Sequence, residues 1–125
     1  MSRASNKFEE EFTRFLSQQG YWAFNCPRDK DGSQPADIVA CGQHDHLLVD
    51  CKLSDVVRFP FGRIEPNQRT AMTLFLKKAK GVYDAECYFA IKFKDKVYKL
   101  PFELAMEMEK QGERSVKIQD LERIY

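Results

Sequence analysis

Residues 35–52 read PADIVACGQHDHLLVDCK, a pattern that predicts two β-strands joined by a polar turn. The first strand, the turn and the second strand cover residues 36–41, 42–45 and 46–52. Because side chains alternate between the two faces of a strand, Asp50 and Lys52 project from one face of the second strand. The opposite face carries apolar side chains at Leu47, Val49, Cys51 and Leu53. The hairpin is therefore predicted to have one apolar face and one charged face.

The charged face of this hairpin suits a divalent metal ion better than a hydrophobic core. Asp37 and Asp50 can converge across an antiparallel pair and offer carboxylate oxygens to a hard cation, together with the backbone carbonyl of Cys51. Lys52 would then orient and acidify an attacking water and offset the charge that grows on a phosphate group. A surface hairpin with a salt bridge between Asp50 and Lys52 is the alternative.

The two acidic segments resemble the motif of the PD-(D/E)xK nucleases. Pro35-Ala36-Asp37 has one residue between the proline and the aspartate, and Asp50-Cys51-Lys52 has Asp in place of Glu. The resemblance implies an α/β, restriction-endonuclease-like fold in which a mixed central β-sheet is flanked by α-helices. It also implies hydrolysis of a phosphodiester at a Mg²⁺ site, with Mn²⁺ as an expected substitute and no small-molecule cofactor.

Residues 5–19 are predicted to form the first helix, with Ser5 as the N-cap and Gly20 as the stop. An apolar stripe at helical spacing is formed by Phe8, Phe12, Phe15 and Leu16. Glu9 and Glu11 lie on the two shoulders of this stripe, so periodicity leaves both open as residues of the site. Favourable acids in a first helical turn are the alternative explanation.

This opening helix resembles that of archaeal Holliday-junction resolvases and of RecU-type bacterial resolvases. The likeness rests on Lys7-Phe8-Glu9-Glu10-Glu11-Phe12 and on the later Gly20-Tyr21 pair. In that pattern a glutamate follows the start of the helix and a glycine-aromatic pair begins the next strand. The resemblance implies that Glu9 is the ligand of the metal or water, with Glu11 in reserve.

Two further segments resemble the RecU-type core. Glu65-Pro66-Asn67-Gln68 is similar to the loop that leads to a glutamine beside the metal site, and Tyr98-Lys99-Leu100-Pro101 is similar to the end of that core. The likeness therefore covers residues 7–101. The metal ligands that it implies are Glu9, Asp37, Asp50 and Cys51. The catalytic residues that it implies are Glu9, Asp37, Asp50, Lys52 and Gln68.

The chain has 125 residues, the length of a single nuclease domain. Further strands are predicted at residues 21–26, 85–93 and 96–100, and a second helix at residues 66–80. Residues 102–125 are an accessory segment that either completes the core or binds a second subunit. No apolar run has the length of a signal peptide or membrane span, so we expect a cytoplasmic protein, with viral or bacterial nucleoid settings also compatible.

Positive charge is concentrated in the middle of the chain. Residues 58–99 hold ten Lys or Arg residues and four acids, although the net charge of the chain is +1. This region predicts a surface that contacts phosphate, and a solvated helix face is the alternative. The candidate DNA contacts are Arg28, Lys30, Ser33, Arg58, Arg63, Arg69, Lys77, Lys78 and Lys80.

These patterns and the resemblance to resolvases together imply a metal-dependent, structure-selective endodeoxyribonuclease that resolves four-way DNA junctions by paired cleavage. Paired cuts require two active sites in one symmetric particle, so the predicted partners are branched DNA and a second subunit in a C2 homodimer. Another nuclease of the superfamily, acting on flaps, ends or restriction sites, remains an alternative. A non-catalytic DNA-binding module with the same fold is a further alternative.

Overall fold

Three helices and eight strands are formed by the residues that this computed structural model describes, 3–27, 34–79 and 84–125. In chain order they are α1 Arg3–Gln18, β1 Trp22–Asn25, β2 Ile38–Cys41, β3 Asp45–Leu53, β4 Arg58–Pro60, α2 Pro66–Ala79, β5 Asp84–Phe93, β6 Lys96–Pro101, α3 Phe102–Lys110, β7 Ser115–Lys117 and β8 Glu122–Arg123. Short 3-10 turns occupy Phe61–Arg63 and Ile118–Asp120. The candidate contacts Arg28, Lys30, Ser33 and Lys80 lie outside the described residues.

Six strands form the main sheet in the order β1-β2-β3-β5-β6-β8. Every neighbouring pair is antiparallel except β3 and β5, which run parallel. A parallel pair needs a crossover connection, and α2 provides it. The strands β4 and β7 form a separate two-stranded sheet. This arrangement confirms the predicted mixed sheet flanked by helices.

The strands β2 and β3 form the predicted antiparallel pair, with Ile38 opposite Val49. The predicted apolar face of β3 is confirmed, and it packs into the cluster that α1 covers. The other face is also covered, because Leu48 joins a second cluster built around α2 and α3. Asp50 therefore lies on a face that is buried rather than open to water, which fixes its side chain.

Helix α1 begins at Arg3, so Ser5 lies inside its first turn and the predicted N-cap role of Ser5 is wrong. The predicted stop is confirmed by Gly20, whose φ of +97° is in the left-handed region. Its N–H donates to the carbonyl of Ser17, and the N–H of Tyr21 donates to the carbonyl of Leu16, each at 3.1 Å. These are the two hydrogen bonds of a Schellman motif, which turns the chain directly into β1.

The C-terminal segment completes the core. Phe102, Ala105 and Ile118 are buried in the cluster on the α2 side, and β8 pairs with β6. The connection between β3 and α2 contains β4, whose Phe59 is fully buried. Among the described residues, no helix has both the length and the apolar character needed to cross a membrane.

Candidate active site

A cleft of about 200 Å³ lies between the first turns of α1 and α2, beside the ends of β2 and β3. All five predicted catalytic residues line it: Glu9, Asp37, Asp50, Lys52 and Gln68. Other lining residues are Ser5, Gln34, Cys51, Leu53, Arg63 and Glu65. The fold thus brings together side chains that come from four separate segments of the chain.

Asp37 and Asp50 are the buried acids of this cleft, with 5% and 2% of their surfaces exposed. Asp37 directly precedes β2, and the register of Ile38 with Val49 places it opposite Asp50. The backbone N–H of Cys51 donates to Oδ2 of Asp37 at 2.8 Å. The side-chain amide of Gln34 donates to Oδ1 of the same carboxylate. Asp37 is therefore held from both sides by protein groups.

Burial raises the pKa of both acids, because a charged carboxylate loses its water shell. The pKa of Asp50 rises to about 7, and the nearby negative charge of Asp37 adds to the effect of burial. The negative charge of Glu9 contributes to the raised pKa of Asp37, while the Cys51 N–H opposes it. The cleft thus concentrates negative charge that the protein itself only partly compensates.

Lys52 supplies the nearest positive charge. Its Nζ lies 3.0 Å from Oδ2 of Asp50 and donates to Oε1 of Gln68 at 3.4 Å. The same oxygen of Gln68 accepts the backbone N–H of Glu65 at 3.0 Å. Because α2 begins at Pro66, Gln68 is its third residue and reaches back to the N-cap in the manner of a capping box. Gln68 therefore fixes both the start of α2 and the ammonium group of Lys52.

The structure separates the two candidate acids of α1. Glu9 lines the cleft and is close enough to Asp37 to affect its pKa. Glu11 instead accepts hydrogen bonds from Lys92 at 2.9 Å and from the hydroxyl of Tyr125 at 2.6 Å. It is Glu9 that lies with the buried acids, while Glu11 fastens α1 to β5 and to the chain end.

The candidate DNA contacts that the structure describes have different surroundings. Arg58 bonds to Ser115, and the guanidinium group of Arg63 lies 5.2 Å from the centre of the Phe59 ring at the rim of the cleft. Lys77 and Lys78 are exposed in the last turn of α2.

Arg69 differs from Arg58 and Arg63 because its guanidinium group is paired with a carboxylate of the chain. It forms two hydrogen bonds to Glu109, at 2.6 and 3.1 Å, and a third to the carbonyl of Phe61. The two bonds to Glu109 fasten α2 to α3. The structure therefore gives Arg69 an internal partner at the position where the sequence suggested a DNA contact.

Gln34 and Asn67 are site residues that the sequence did not single out. Gln34 is buried and holds Asp37, while its own carbonyl accepts a hydrogen bond from the side chain of Asn67 at 2.7 Å. Asn67 belongs to the first turn of α2, so this chain of bonds links the helix to Asp37. In the sequence, Gln34 directly precedes Pro35 of the acidic motif. Polar residues in loops are usually exposed, so this position alone did not mark Gln34 as a buried site residue.

Within the described part of the chain, no three His, Cys, Asp or Glu side chains are arranged as a formed metal site. In this structure Gln34 and Cys51 donate to Asp37, and Lys52 lies against Asp50.

A family model described as archaeal Holliday junction resolvase (Hjc) matches residues 1–124. The chain belongs to this family. The resolvase is also similar in structure to Hjc of Archaeoglobus fulgidus, a Holliday junction resolvase from an archaeal hyperthermophile. That likeness has a TM-score of 0.68 and covers 94% of this chain and 93% of the other, at 18% identity. A comparison with curated protein sequences gave no match. Family membership makes the chain a nuclease of the PD-(D/E)xK superfamily that resolves Holliday junctions, as predicted.

Proposed function

We propose that this resolvase is a magnesium-dependent endonuclease whose reaction centre is formed by Glu9, Asp37, Asp50 and Lys52. The observation that carries the proposal is the buried pair of facing acids, Asp37 and Asp50, with an ammonium group 3.0 Å from one of them. Two carboxylates buried side by side repel each other, and a divalent cation between them would relieve that repulsion.

The oxygen donors of the cleft fit a hard cation. Asp37, Asp50 and the backbone carbonyl of Cys51 would hold the ion, and Glu9 would complete the set directly or through a water. The sequence also predicts that Mn²⁺ can substitute for Mg²⁺. When bound, the ion would act as a Lewis acid on the phosphate and acidify a bound water. Each carboxylate oxygen has two lone pairs, so Asp37 and Asp50 could bind the ion while they keep the contacts with Gln34 and Lys52.

Lys52 is proposed to act on the attacking water and on the charge of the phosphate. Its ammonium group has three N–H donors, so beside Asp50 it would also donate to the water or to a non-bridging phosphate oxygen. Gln68 would keep this group in place, because the Gln68 side chain is already fixed by the start of α2. Arg63 lies at the rim of the same cleft, where a neighbouring phosphate of the strand could reach it.

The resolvase is proposed to act as a C2 homodimer, because resolving a four-way junction takes two cuts. The cleft described above would provide one reaction centre in each chain, and two chains related by a two-fold axis would place two centres on one junction. Recognition would depend on the shape of the branch, read through backbone contacts. A DNA substrate agrees with the cytoplasmic location that the sequence predicts.

The proposal is tested by cleavage of a labelled four-way junction, a linear duplex and a single strand, with Mg²⁺ and with a chelator. We expect paired nicks on the junction that require Mg²⁺ and are lost in Asp50→Asn while junction binding persists. Asp55→Asn is the matched control, since Asp55 is exposed in the loop after β3. Equal cleavage of all three substrates would instead indicate a less selective nuclease, and tight binding without cleavage would indicate a binding module.

A further inference from the structure

Two valines are exposed in the loop that joins β3 to β4, residues 54–57. Val56 and Val57 have 55% and 50% of their surfaces exposed. They are neighbours in the chain, and neither belongs to the two hydrophobic clusters that pack against the sheet. Burial of a valine side chain is favourable, so this exposed pair marks a surface that gains free energy when it is covered.

Hydrogen bonds hold this β3–β4 loop in one shape. The Ser54 hydroxyl donates to the carbonyl of Val56 at 2.9 Å and accepts the N–H of Val56 at 3.3 Å. The carbonyl of Val57 accepts the N–H of Ile118 at 2.9 Å. A loop whose backbone is already bonded loses little conformational entropy when a partner binds, so little of the gain from covering the valines is lost to ordering.

The loop is anchored at the rim of the reaction cleft. Leu53, the last residue of β3, lines the cleft and directly precedes the loop. Arg63 also lines the cleft, and its guanidinium group donates to the carbonyl of Leu53 at 2.9 Å. The chain between these two residues therefore leaves the rim and returns to it. Val56 is three residues from Leu53, so their Cα atoms are at most about 11 Å apart.

The substrate of the cleft determines what meets this loop. The chain belongs to a family that resolves Holliday junctions, so branched DNA approaches the cleft. The major groove of a duplex is about 12 Å wide, which exceeds the distance from the rim of the cleft to the valines. DNA with a phosphate in the cleft therefore lies against the β3–β4 loop.

The chemistry of the loop suits a base better than a phosphate. Residues 54–57 read Ser-Asp-Val-Val and contain neither Lys nor Arg, the residues that neutralise phosphates. Apolar side chains instead contact the flat faces of bases, which stacking covers in an intact duplex. At the branch point of a four-way junction the stacking is interrupted, so a base-pair face is available there. The valines therefore match a feature that linear DNA lacks.

We propose that Val56 and Val57 pack against the exposed base-pair face at the branch point, and that this contact helps the resolvase distinguish a junction from linear duplex. The inference rests on the proposed function, because the reaction centre fixes where the DNA lies. Backbone contacts follow the arrangement of the arms, whereas the valines meet a surface that only the branch offers. Insertion of a side chain at a base step costs stacking energy, and this cost is lowest where the step is already open.

DNA binding measured in a chelator tests this contact without cleavage. The double variant Val56→Ser/Val57→Ser keeps the backbone hydrogen bonds of the loop, and we expect its dissociation constant for a four-way junction to rise about tenfold. Its dissociation constant for a linear duplex should stay unchanged. With the fluorescent base 2-aminopurine at the branch point, we expect the unaltered chain to change the emission and the double variant to leave it unchanged.

The matched control is Leu104→Ser, which removes an exposed leucine on α3 that does not line the cleft. We expect it to leave both dissociation constants unchanged. Val56→Ile keeps the apolar surface and should keep the preference for junctions, and circular dichroism should show every variant folded. An equal loss of affinity for junction and duplex in the double variant would overturn the inference, as would an unchanged affinity for the junction.

These outcomes are separable from failure of the proposed function. Binding in a chelator does not depend on the metal ion, so a lost preference for junctions in the double variant would support the contact even if the unaltered chain failed to cut in Mg²⁺. If the unaltered chain cuts junctions in Mg²⁺ and the double variant keeps its full preference for them, the reaction centre stands and the proposed role of the β3–β4 loop is wrong.

Discussion

Lys52 and Gln68 meet at one oxygen atom, where Oε1 of Gln68 accepts both the ammonium group of Lys52 and the N–H that begins α2. A residue that caps a helix therefore also positions the proposed catalytic lysine. Stability and activity are coupled at this point of the structure, and the coupling can be measured.

Gln68→Ala should lower both quantities. Loss of the cap should cost about 1 kcal/mol of unfolding free energy. The ammonium group of Lys52 would lose its second partner, so we expect the junction cleavage rate to fall about tenfold or more at saturating Mg²⁺. Denaturant unfolding and single-turnover cleavage measure the two effects, with Gln19→Ala, an exposed glutamine, as the control. An unchanged cleavage rate in a less stable protein would show that Gln68 only caps α2 and does not position Lys52.

Asn67→Ala should weaken binding of the metal. Asn67 holds the carbonyl of Gln34, whose side chain holds Asp37, so its loss should loosen a predicted ligand through two hydrogen bonds. Supporting residues of this kind commonly contribute about tenfold or more to metal affinity. We expect a several-fold rise in the Mg²⁺ concentration for half-maximal cleavage and weaker Mn²⁺ binding by calorimetry. Unaltered binding of both ions would show that Gln34 is held without Asn67.

The buried acids should make the metal-free protein less stable as pH rises. The folded-state pKa of Asp50 is raised to about 7 from an ordinary value near 4, so the folded state binds the extra proton between these values. The stability that this protonation contributes is present below about pH 4 and is lost as pH rises through 7. In a chelator, Asp50→Asn should therefore lose less stability between pH 5 and pH 8 than the unaltered chain, by an amount on the order of 2 kcal/mol. Thermal unfolding at the two pH values measures the difference, and equal losses in both proteins would contradict it.

Substitution of Arg69 should lower the unfolding free energy of the protein. The pair of Arg69 with Glu109 is about one third exposed, so we expect Arg69→Ala to cost about 1 kcal/mol of unfolding free energy. A double-mutant cycle with Glu109→Ala should show that most of this loss of unfolding free energy comes from the interaction between the two side chains. A zero coupling energy would show that the two side chains act independently.

Lys77 and Lys78, at the end of α2, are predicted to contact DNA. The double substitution to Ala should leave stability within about 0.5 kcal/mol, because both side chains are exposed. If both contact phosphate, the slope of log affinity against log salt should fall by about 1.8. Junction binding measured across a salt series tests this, and Lys110→Ala on α3 is the matched control.

The parts of the fold that could be predicted are those set by local patterns. The hairpin of β2 and β3 followed from alternation and a polar turn, and α1 followed from its apolar stripe and Gly20. The strands β4 and β7 were missed because each has three residues and its partner lies far along the chain. Short strands paired at long range leave no periodic signal.

The same division applies to the candidate site. Asp37, Asp50 and Lys52 could be placed together because strand alternation and register are local rules. Periodicity left Glu9 and Glu11 open and only the family resemblance favoured Glu9, because the partners of Glu11, Lys92 and Tyr125, lie far along the chain. Periodicity describes which way a side chain points along its own element, and the partners it meets depend on how the elements pack.

Cys51 belongs to two environments at once. Its main-chain N–H holds Asp37, while its side chain lies among the apolar residues under α1, where burial and the nearby negative charges raise the pKa of its thiol well above the usual value. The side chain at this position is therefore chosen by shape and not by reactivity. A valine of similar volume could stand there, and the carboxylate would still find the same amide proton. At position 51 the backbone N–H holds the carboxylate of Asp37, and the side chain can vary with the core.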